Sequence, residues 1–560
     1  MAKIENFITK FDDIIAFLYS KKWIRIIFFP VIFLLILALY CIFCLKNGTY
    51  TYYGFRNLGC LYGFYAIIII LSVICGLYLI FEGIFHRLNS KKVIVILLLG
   101  ASFCLLSYGF ANSLNYGNHH HDASVYSSGS HWTIIYQIYN NKEIPDATTT
   151  NQFYNFKVYH VLMALGMAIN GIFVHFGSEH APTSATNVKN FPNYSITQYQ
   201  QYDMCRIYLC FIGILSLFFI YKVFKAMGLR KGLLATALGI TIFIPQMWYI
   251  HFFGNQDGLV VLFSLISIYY ALKFKKSGKW HAICLTALFL GLATMTKFAA
   301  GIISIPIGVL VIARGYEEYR AGKEKFDKFV LKFFVLFIIA VPLCFALPVW
   351  YKILYNVPIV FNYDVAKTLA ARKKYSMYID PDYYNWFQRF ASFPNGDLFF
   401  SPFNMRVRST EAAGAYVNNY GDIDFNVWTG FIKTLFFDEW NYQNISTFYG
   451  GFITGLLMAV EYIYAIGILV AIVASLIYFF RTVTKKIPYE KGIFALFIIA
   501  FTFSLIGYYI WFNGKYPYGF NQNSRLIPLL IIPINLLLAE AIFDSKAIIQ
   551  EKFEEAKHHV

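Results

Sequence analysis

The sequence predicts an all-α polytopic membrane protein with about twelve transmembrane helices. The 560 residues are 58% hydrophobic and only 14% charged, whereas a soluble domain has about 25% charged residues. Apolar runs of about 20 residues, long enough to cross a bilayer core, recur along the chain. Lysine and arginine cluster between alternate runs, which is typical of loops retained on the cytoplasmic side of a membrane.

Twelve apolar runs are predicted to span the membrane: 24–44, 61–85, 93–113, 205–222, 232–250, 257–273, 280–296, 298–313, 330–350, 450–480, 492–512 and 526–543. A thirteenth run, 158–176, contains His160 and His175 and is short for a span. If it lies along the outer interface, 29 of the 47 lysines and arginines fall in the inner segments. This distribution favours an interfacial helix there and two cytoplasmic termini.

The topology predicts the domain organisation. We expect residues 1–92 to form an additional N-terminal transmembrane hairpin, 93–545 to form the main transmembrane domain, and 546–560 to form a cytoplasmic tail. Within the main domain, 114–204 is the first outer loop, which carries surface helices, and 351–449 is an outer cap loop. The net charge of +17 could indicate a nucleic acid partner, but its placement at the inner membrane edge argues against one.

Four charged residues come to the outer membrane face in this topology. They are Asp122 in "HHHDAS", Asp257 in "GNQDG", Lys297 in "TMTKFAAG" and Arg525 in "NQNSRLIPLL". A charge within or beside a membrane core is costly and is therefore a functional candidate. Two acids and two bases at one interface suggest a site for a lipid-linked phosphate and a sugar. The alternatives are a helix N-cap role for Asp257 and an interfacial anchor role for Arg525.

Three consecutive histidines, His119, His120 and His121, precede Asp122. They suggest a metal site, but adjacent histidines in a loop are poor joint ligands and the sequence shows no second ligand cluster. We therefore predict no metal site and no required cofactor, with a divalent metal as the alternative. Otherwise, we expect the histidines to line the acceptor or donor cleft, or to lower the pKa of Asp122 when an imidazole beside it is charged.

The order of these motifs resembles the GT-C superfamily of membrane glycosyltransferases, and within it the protein O-mannosyltransferase and aminoarabinose-transferase-like group. That family has a long outer first loop with an essential Asp near its start, the position of Asp122 here. "GNQDGLVVLF" looks like its N-x-D-G helix, "LFLGLATMTKFAAG" like its L-x-x-L-T-K helix, and "SRLIPLLIIP" like its closing Arg-containing helix. The resemblance covers residues 93–545. It departs at Ala123, where many relatives have Glu, and at "YNFKVYH", where many have His-Pro-Pro.

The resemblance implies a GT-C-like bundle that transfers a sugar from a polyprenyl-phosphate donor to an acceptor at the outer face, with inversion. Asp122 would be the general base. Lys297 and Arg525 would bind the donor phosphate, and Asn255 and Asp257 would position the sugar or a cation. The candidate cleft-lining residues are His119, His120, His121, His160 and Glu439.

The predicted partners are the polyprenyl-phosphate sugar, the bilayer, and an acceptor that is a protein, a glycolipid or a cell-envelope polymer, without nucleic acid. The Ile, Lys, Asn, Phe and Tyr bias favours a bacterial plasma membrane, with the endoplasmic reticulum as the alternative. The competing function is a transporter or flippase for a lipid-linked or anionic substrate. It predicts an internal repeat and polar residues near the bilayer midplane, and we see neither in the sequence.

Overall fold

The computed structural model describes an all-helical chain, which confirms the predicted fold class, and its described residues contain no β-strand. These residues are 131–142, 158–173, 196–244, 246–251, 255–356, 384–392, 426–437, 489–517 and 519–541, with parts of 93–105 and 459–484. The helices in chain order are α1 (His131–Asn141), α2 (Val158–Phe173), α3 (Ile196–Ala226), α4 (Lys231–Phe243), α5 (Gln246–Tyr249), α6 (Asp257–Ser277), α7 (Trp280–Thr296), α8 (Ser304–Arg320), α9 (Lys323–Tyr355), α10 (Val427–Phe437), α11 (461–470), α12 (Tyr489–Lys515) and α13 (531–541).

The chain divides into two compact units. The larger unit contains residues 63–164 and 202–560, and all the contacts discussed below lie within it. The smaller unit contains residues 1–62 and 165–201, of which only helical residues of α2 and α3 are described. The predicted N-terminal hairpin and C-terminal tail lie outside the described residues, so the predicted domain boundaries stay predictions.

Five described helical stretches are long and apolar enough to cross a membrane. They are Tyr208–Ala226, Asp257–Ser277, Phe298–Arg320, Lys323–Ala346 and Tyr489–Lys515. The most apolar window of α6 is 78% buried, whereas that of α9 is only 17% buried. Thus α6 lies centrally and α9 presents most of its apolar surface outward, as a lipid-facing helix does. These features confirm a polytopic membrane protein, while the number of twelve spans stays a prediction.

Helices α6 to α9 are joined by short connections and pack against one another. The α6–α7 turn uses Gly278 at φ 61°, and its N–H donates to the Phe274 carbonyl, which closes the helix. Gly322, at φ 119°, connects α8 to α9. Asp257 and Lys297 therefore lie at one end of these helices, the pocket end, and the Gly278 and Gly322 turns lie at the other, the network end.

An ion-pair network joins three helices at the network end. Lys275 of α6 pairs with Glu317 of α8 at 3.2 Å and with Glu490 at the start of α12. Arg314 of α8 pairs with Glu318 and lies 3.6 Å from Glu317. Its guanidinium also donates to the Lys275 carbonyl at 3.3 Å. The network therefore fixes the ends of α6, α8 and α12 relative to one another.

Three predicted spans differ locally from straight α-helices. The run 232–250 is broken between Phe243 and Gln246, and Ile244 is extended there, the conformation favoured for a residue that precedes proline in the sequence. Residues Phe298–Ile303 form a 3₁₀-helix before α8 begins. The last run, 526–543, begins as 3₁₀ turns and becomes α-helical only at residue 531. The latter two breaks lie at the pocket end.

The predicted outer cap loop, 351–449, contributes a buried helix to the core. In α10, Val427, Phe431, Leu435 and Phe436 are all buried. This helix packs against α5 and against the 3₁₀ turns between residues 519 and 526. Apolar burial explains its position, since its sequence, VWTGFIKTLFF, contains a single charge.

We predict that Lys275→Met lowers the free energy of unfolding by about 1–3 kcal/mol, because Glu490 loses a charged hydrogen bond and Glu317 loses an ion-pair partner. Lys328 provides the matched control, since it pairs with Glu324 one turn away at an exposed site. Exposed helical pairs contribute little, so Lys328→Met should leave the unfolding midpoint unchanged. Thermal unfolding of the purified protein in detergent measures both, and equal midpoints for the two variants would contradict the role given to the network.

Candidate functional site

An ion pair joins the start of α6 to the end of α7. The Lys297 ammonium lies 2.6 Å from the Asp257 carboxylate, and the two side chains are 22% and 6% exposed. Asp257 is the first helical residue, and the Asn255 side chain accepts its backbone N–H at 3.0 Å. Asn255 thus satisfies the helix start, as capping side chains do. The Asp257 carboxylate bonds to Lys297.

The local backbone explains the position of Lys297. Helix α7 ends at Thr296, and Lys297 adopts an extended conformation with φ −151° and ψ 119°. The chain then turns into the 3₁₀-helix Phe298–Ile303. This break holds the lysine at the helix end, where its side chain reaches the first turn of the neighbouring α6.

Asp257, Lys297 and Arg525 line one pocket. Three of the four charged residues singled out in the sequence are therefore brought together. The pocket has an empty volume of about 370 Å³, including the part open to solvent. Its apolar wall includes Val260, Ile303, Leu505, Leu526, Ile527 and Leu529.

Among the described residues that line the pocket, two side chains are cationic and one is a carboxylate, so these three groups together carry a positive formal charge. Apolar walls lower the local dielectric and strengthen the attraction of this charge for an anion. The arrangement suits a small anionic group attached to an apolar chain, because charge and apolar surface occur in the same pocket. Lys297 is oriented by Asp257, and Arg525 belongs to a separate segment.

The segment that carries Arg525 consists of short 3₁₀ turns between residues 519 and 530. The Asn523 side chain accepts the Arg525 backbone N–H at 2.9 Å. The Thr434 hydroxyl of α10 accepts the Ser524 backbone N–H at 2.8 Å. Irregular backbone inside a membrane protein requires such partners for its polar groups. Helix α10 therefore helps to position Arg525.

A second charged pair, Lys433 and Glu461, was missed by the sequence reasoning. Both residues are fully buried, and they interact electrostatically. Each was visible as a lone charge in an apolar run, "WTGFIKTLFF" and "LLMAVEYIYAIG". Ionisable residues in such runs are functional candidates, so the signal was present in the sequence.

His251 lies in the turn that follows α5 and is fully buried against α3 and α6. A Cβ built on Gly213 would lie 2.9 Å from its ring, and one built on Gly258 would lie 2.6 Å from Nδ1. Glycine at both positions therefore makes room for the imidazole. Neither ring nitrogen has a hydrogen-bond partner among the described residues. Burial lowers the pKa of His251 to about 3, which keeps the ring neutral.

The remaining predicted residues divide into two groups. His160 is buried in α2, and its Nε2 lies 2.9 Å from Nδ1 of His131 in α1. Asp122, His119, His120, His121 and Glu439 lie outside the described residues. Among the described residues, no three His, Cys, Asp or Glu side chains come together as metal ligands would. The roles given to all these residues stay predictions.

Residues 198–345 match the family model for dolichyl-phosphate-mannose-protein mannosyltransferase. This mannosyltransferase segment is about a quarter of the chain, extends from α3 into α9, and includes Asn255, Asp257 and Lys297. The match confirms the resemblance to the mannosyltransferase-like group of GT-C membrane glycosyltransferases. Arg525 lies outside the mannosyltransferase segment and reaches the pocket through the fold. No curated protein matches the chain.

We predict that His251 makes the protein less stable in acid. Its folded-state pKa of about 3 lies below the unfolded value of about 6.5. The unfolded chain therefore binds the proton first, and the stability of the neutral, buried ring is lost as pH falls below about 6.5. The loss between pH 7.5 and pH 5 should be on the order of 2 kcal/mol.

Unfolding midpoints at several pH values test this prediction. His251→Asn should flatten the acid side of the profile, whatever its effect at neutral pH. His281→Asn, at an exposed position of α7, is the matched control and should leave the profile unchanged. Equal acid slopes for wild type and His251→Asn would disprove the prediction.

Proposed function

We propose that the protein transfers a sugar from a polyprenyl-phosphate donor to an acceptor at the outer face of the membrane, with inversion at the anomeric carbon. The observation that carries this proposal is the shared pocket of Lys297, Asp257 and Arg525 with its apolar wall. The family match supports the same class of enzyme, a membrane glycosyltransferase. Mannose is the first sugar to test, since the family description names it.

The pocket suits the phosphate of such a donor. A polyprenyl-phosphate sugar is a phosphodiester with one negative charge. This charge balances the net formal charge of +1 that Lys297, Arg525 and Asp257 carry together. During transfer the leaving phosphate gains negative charge. The Lys297 ammonium stabilises this charge as a compact cation, and the planar Arg525 guanidinium stabilises it by donating two parallel hydrogen bonds. Asp257 acts as a positioning residue that orients Lys297. The isoprenoid chain leaves the pocket along its apolar wall.

The proposed reaction is a single displacement. The acceptor oxygen attacks the anomeric carbon as the carbon–oxygen bond to the phosphate breaks, and the electron pair of that bond leaves with polyprenyl phosphate. The Asp122 carboxylate takes the proton of the acceptor hydroxyl as general base. His119, His120 and His121 then lie beside the reacting groups as cleft residues. The reaction needs no cofactor, and a divalent metal at the histidines is the alternative.

The acceptor is a protein, a glycolipid or a cell-envelope polymer, and the proposed location is a bacterial plasma membrane, with the endoplasmic reticulum as the alternative. The second candidate function is a transporter or flippase of a lipid-linked or anionic substrate. The buried Lys433–Glu461 pair favours it, because transporters place ionisable groups inside the membrane domain. Substrate flux into liposomes without a glycosidic product would support this second function.

We predict that Asp122→Asn lowers sugar transfer by about 10²–10⁴-fold, the usual contribution of a general base, while donor binding is retained. Transfer of radiolabelled sugar from a panel of polyprenyl-phosphate sugars measures the effect. Asp146→Asn, at another acid of the same predicted outer loop, is the control and should transfer as wild type does. Full transfer by a folded Asp122→Asn variant would exclude Asp122 as the base.

We predict that Lys297→Met and Arg525→Met each weaken binding of bare polyprenyl phosphate by about 10–100-fold, because each removes a charged hydrogen bond to phosphate. Lys352→Met is the matched control. Lys352 lies toward the same end of α9 as the pocket, but it is exposed and bonds to Asn356 at 2.7 Å. Equal affinities for all three variants would show that the pocket does not bind the phosphate.

A further inference from the structure

Four buried polar side chains lie on α10 or on segments near it, beside Arg525. They are Lys433, Glu461, Gln522 and Ser524, which we call the α10 cluster, and all four are fully buried. Electrostatic contact joins Lys433 to Glu461. A Cβ built on Gly430 would lie 2.5 Å from Cβ of Gln522, so the helix and the segment pack tightly there.

Three members of the α10 cluster have side-chain atoms without a hydrogen-bond partner in the described part of the chain. These are both carboxylate oxygens of Glu461, both amide atoms of Gln522, and the Ser524 hydroxyl. An unsatisfied buried polar group destabilises a fold by about 1–3 kcal/mol, and folded proteins retain few of them. Five such atoms around one helix indicate a ligand that supplies the missing partners.

Two backbone groups of the same segment do have hydrogen-bond partners, unlike these side-chain atoms. The Ser524 N–H donates to Thr434, and the Gln522 carbonyl accepts from the Tyr509 hydroxyl at 2.5 Å. The segment is therefore held firmly while its side chains keep unused hydrogen-bonding capacity. Such fixed polar groups are typical of binding sites, where a few of them orient a ligand.

The position of the α10 cluster in the chain relates it to the pocket. Ser524 immediately precedes Arg525, and Gln522 lies three residues before it. Arg525 lines the pocket proposed to hold the donor phosphate. In a polyprenyl-phosphate sugar, the group bonded to the phosphate opposite the lipid is the sugar ring. A phosphate held by Arg525 therefore has its sugar close to Ser524 and Gln522.

We propose that the α10 cluster is the subsite that binds the sugar hydroxyls of the donor, an inference that rests on the proposed function. A carboxylate accepts hydrogen bonds from adjacent hydroxyls, an amide both donates and accepts, and a serine hydroxyl does either. This mixture of hydrogen-bond donors and acceptors fits a neutral group with many hydroxyls. A phosphate needs only donors, and a lipid chain needs neither donors nor acceptors.

Binding of two lipids to the full-length protein in nanodiscs tests this subsite. The probes are bare polyprenyl phosphate and polyprenyl-phosphate mannose, and wild type should bind the mannosylated lipid more tightly. Gln522→Met and Ser524→Ala should each lower the affinity for the mannosylated lipid by at least about tenfold, the effect of an unpaired hydroxyl contact. Both variants should bind the bare lipid as wild type does.

Two further measurements separate sugar binding from a structural role. Gln522→Met should leave the unfolding midpoint of the ligand-free protein unchanged or raised, because it removes an unsatisfied buried amide. Thr434→Val breaks the bond to the Ser524 backbone that positions Arg525, so it should weaken binding of both lipids together. Thr434→Ser keeps the hydroxyl and should restore both affinities.

The outcomes are distinct. Variants of Gln522 and Ser524 that bind both lipids as wild type does would overturn the sugar subsite. An equal loss for both lipids would also overturn it, because the cluster would then act only on the phosphate. A wild-type protein that binds neither lipid would instead contradict the proposed function. If Gln522→Met does not fold, the smaller change Ser524→Ala decides the question by itself.

Discussion

The ion pair between Asp257 and Lys297 is the interaction around which the pocket end is arranged. It requires α6 to begin, and α7 to end, at the same level of the bundle. Neither charge is stable alone in apolar surroundings, because removing one partner leaves the other desolvated. The extended backbone at Lys297 and the Asn255 bond to the start of α6 keep the two side chains in register.

The opposite ends of these helices are fixed in a different way. At the network end, Lys275 and Arg314 are paired with three acids, Glu317, Glu318 and Glu490, so each cation there has at least one carboxylate partner. At the pocket end, the described lining residues include two cations and one acid. The same helices thus carry an ion-pair network that fixes their spacing and a pocket whose lining includes Lys297 and Arg525. Rigid support for such cations is what electrostatic preorganisation requires.

The sequence predicted well what depends on composition and pattern. Hydropathy predicted the helical membrane fold, and the cost of charge near a membrane singled out Asp257, Lys297 and Arg525. The breaks in the predicted spans were harder to predict from the sequence. Pro245 indicates one, but the 3₁₀ turns before α8 and α13 reflect contacts with α6, α10 and α12 that no local pattern encodes. Nor could spacing show that Arg525 and Asp257 line the same pocket, because the two residues are 268 positions apart in the sequence.

Helix α10 shows why part of the site was missed. It lies in the long segment 351–449, which the sequence predicts to be an outer cap loop, so Lys433 was not considered as a charge within the membrane domain. The same reasoning applied to Glu461 within a predicted span would have flagged it. In the fold Lys433 belongs to α10 and Glu461 interacts with it, and the same helix also bonds to the backbone beside Arg525. Under the proposed function, phosphate binding and recognition of the group attached to it are linked through α10, because its Thr434 bonds to the backbone beside Arg525.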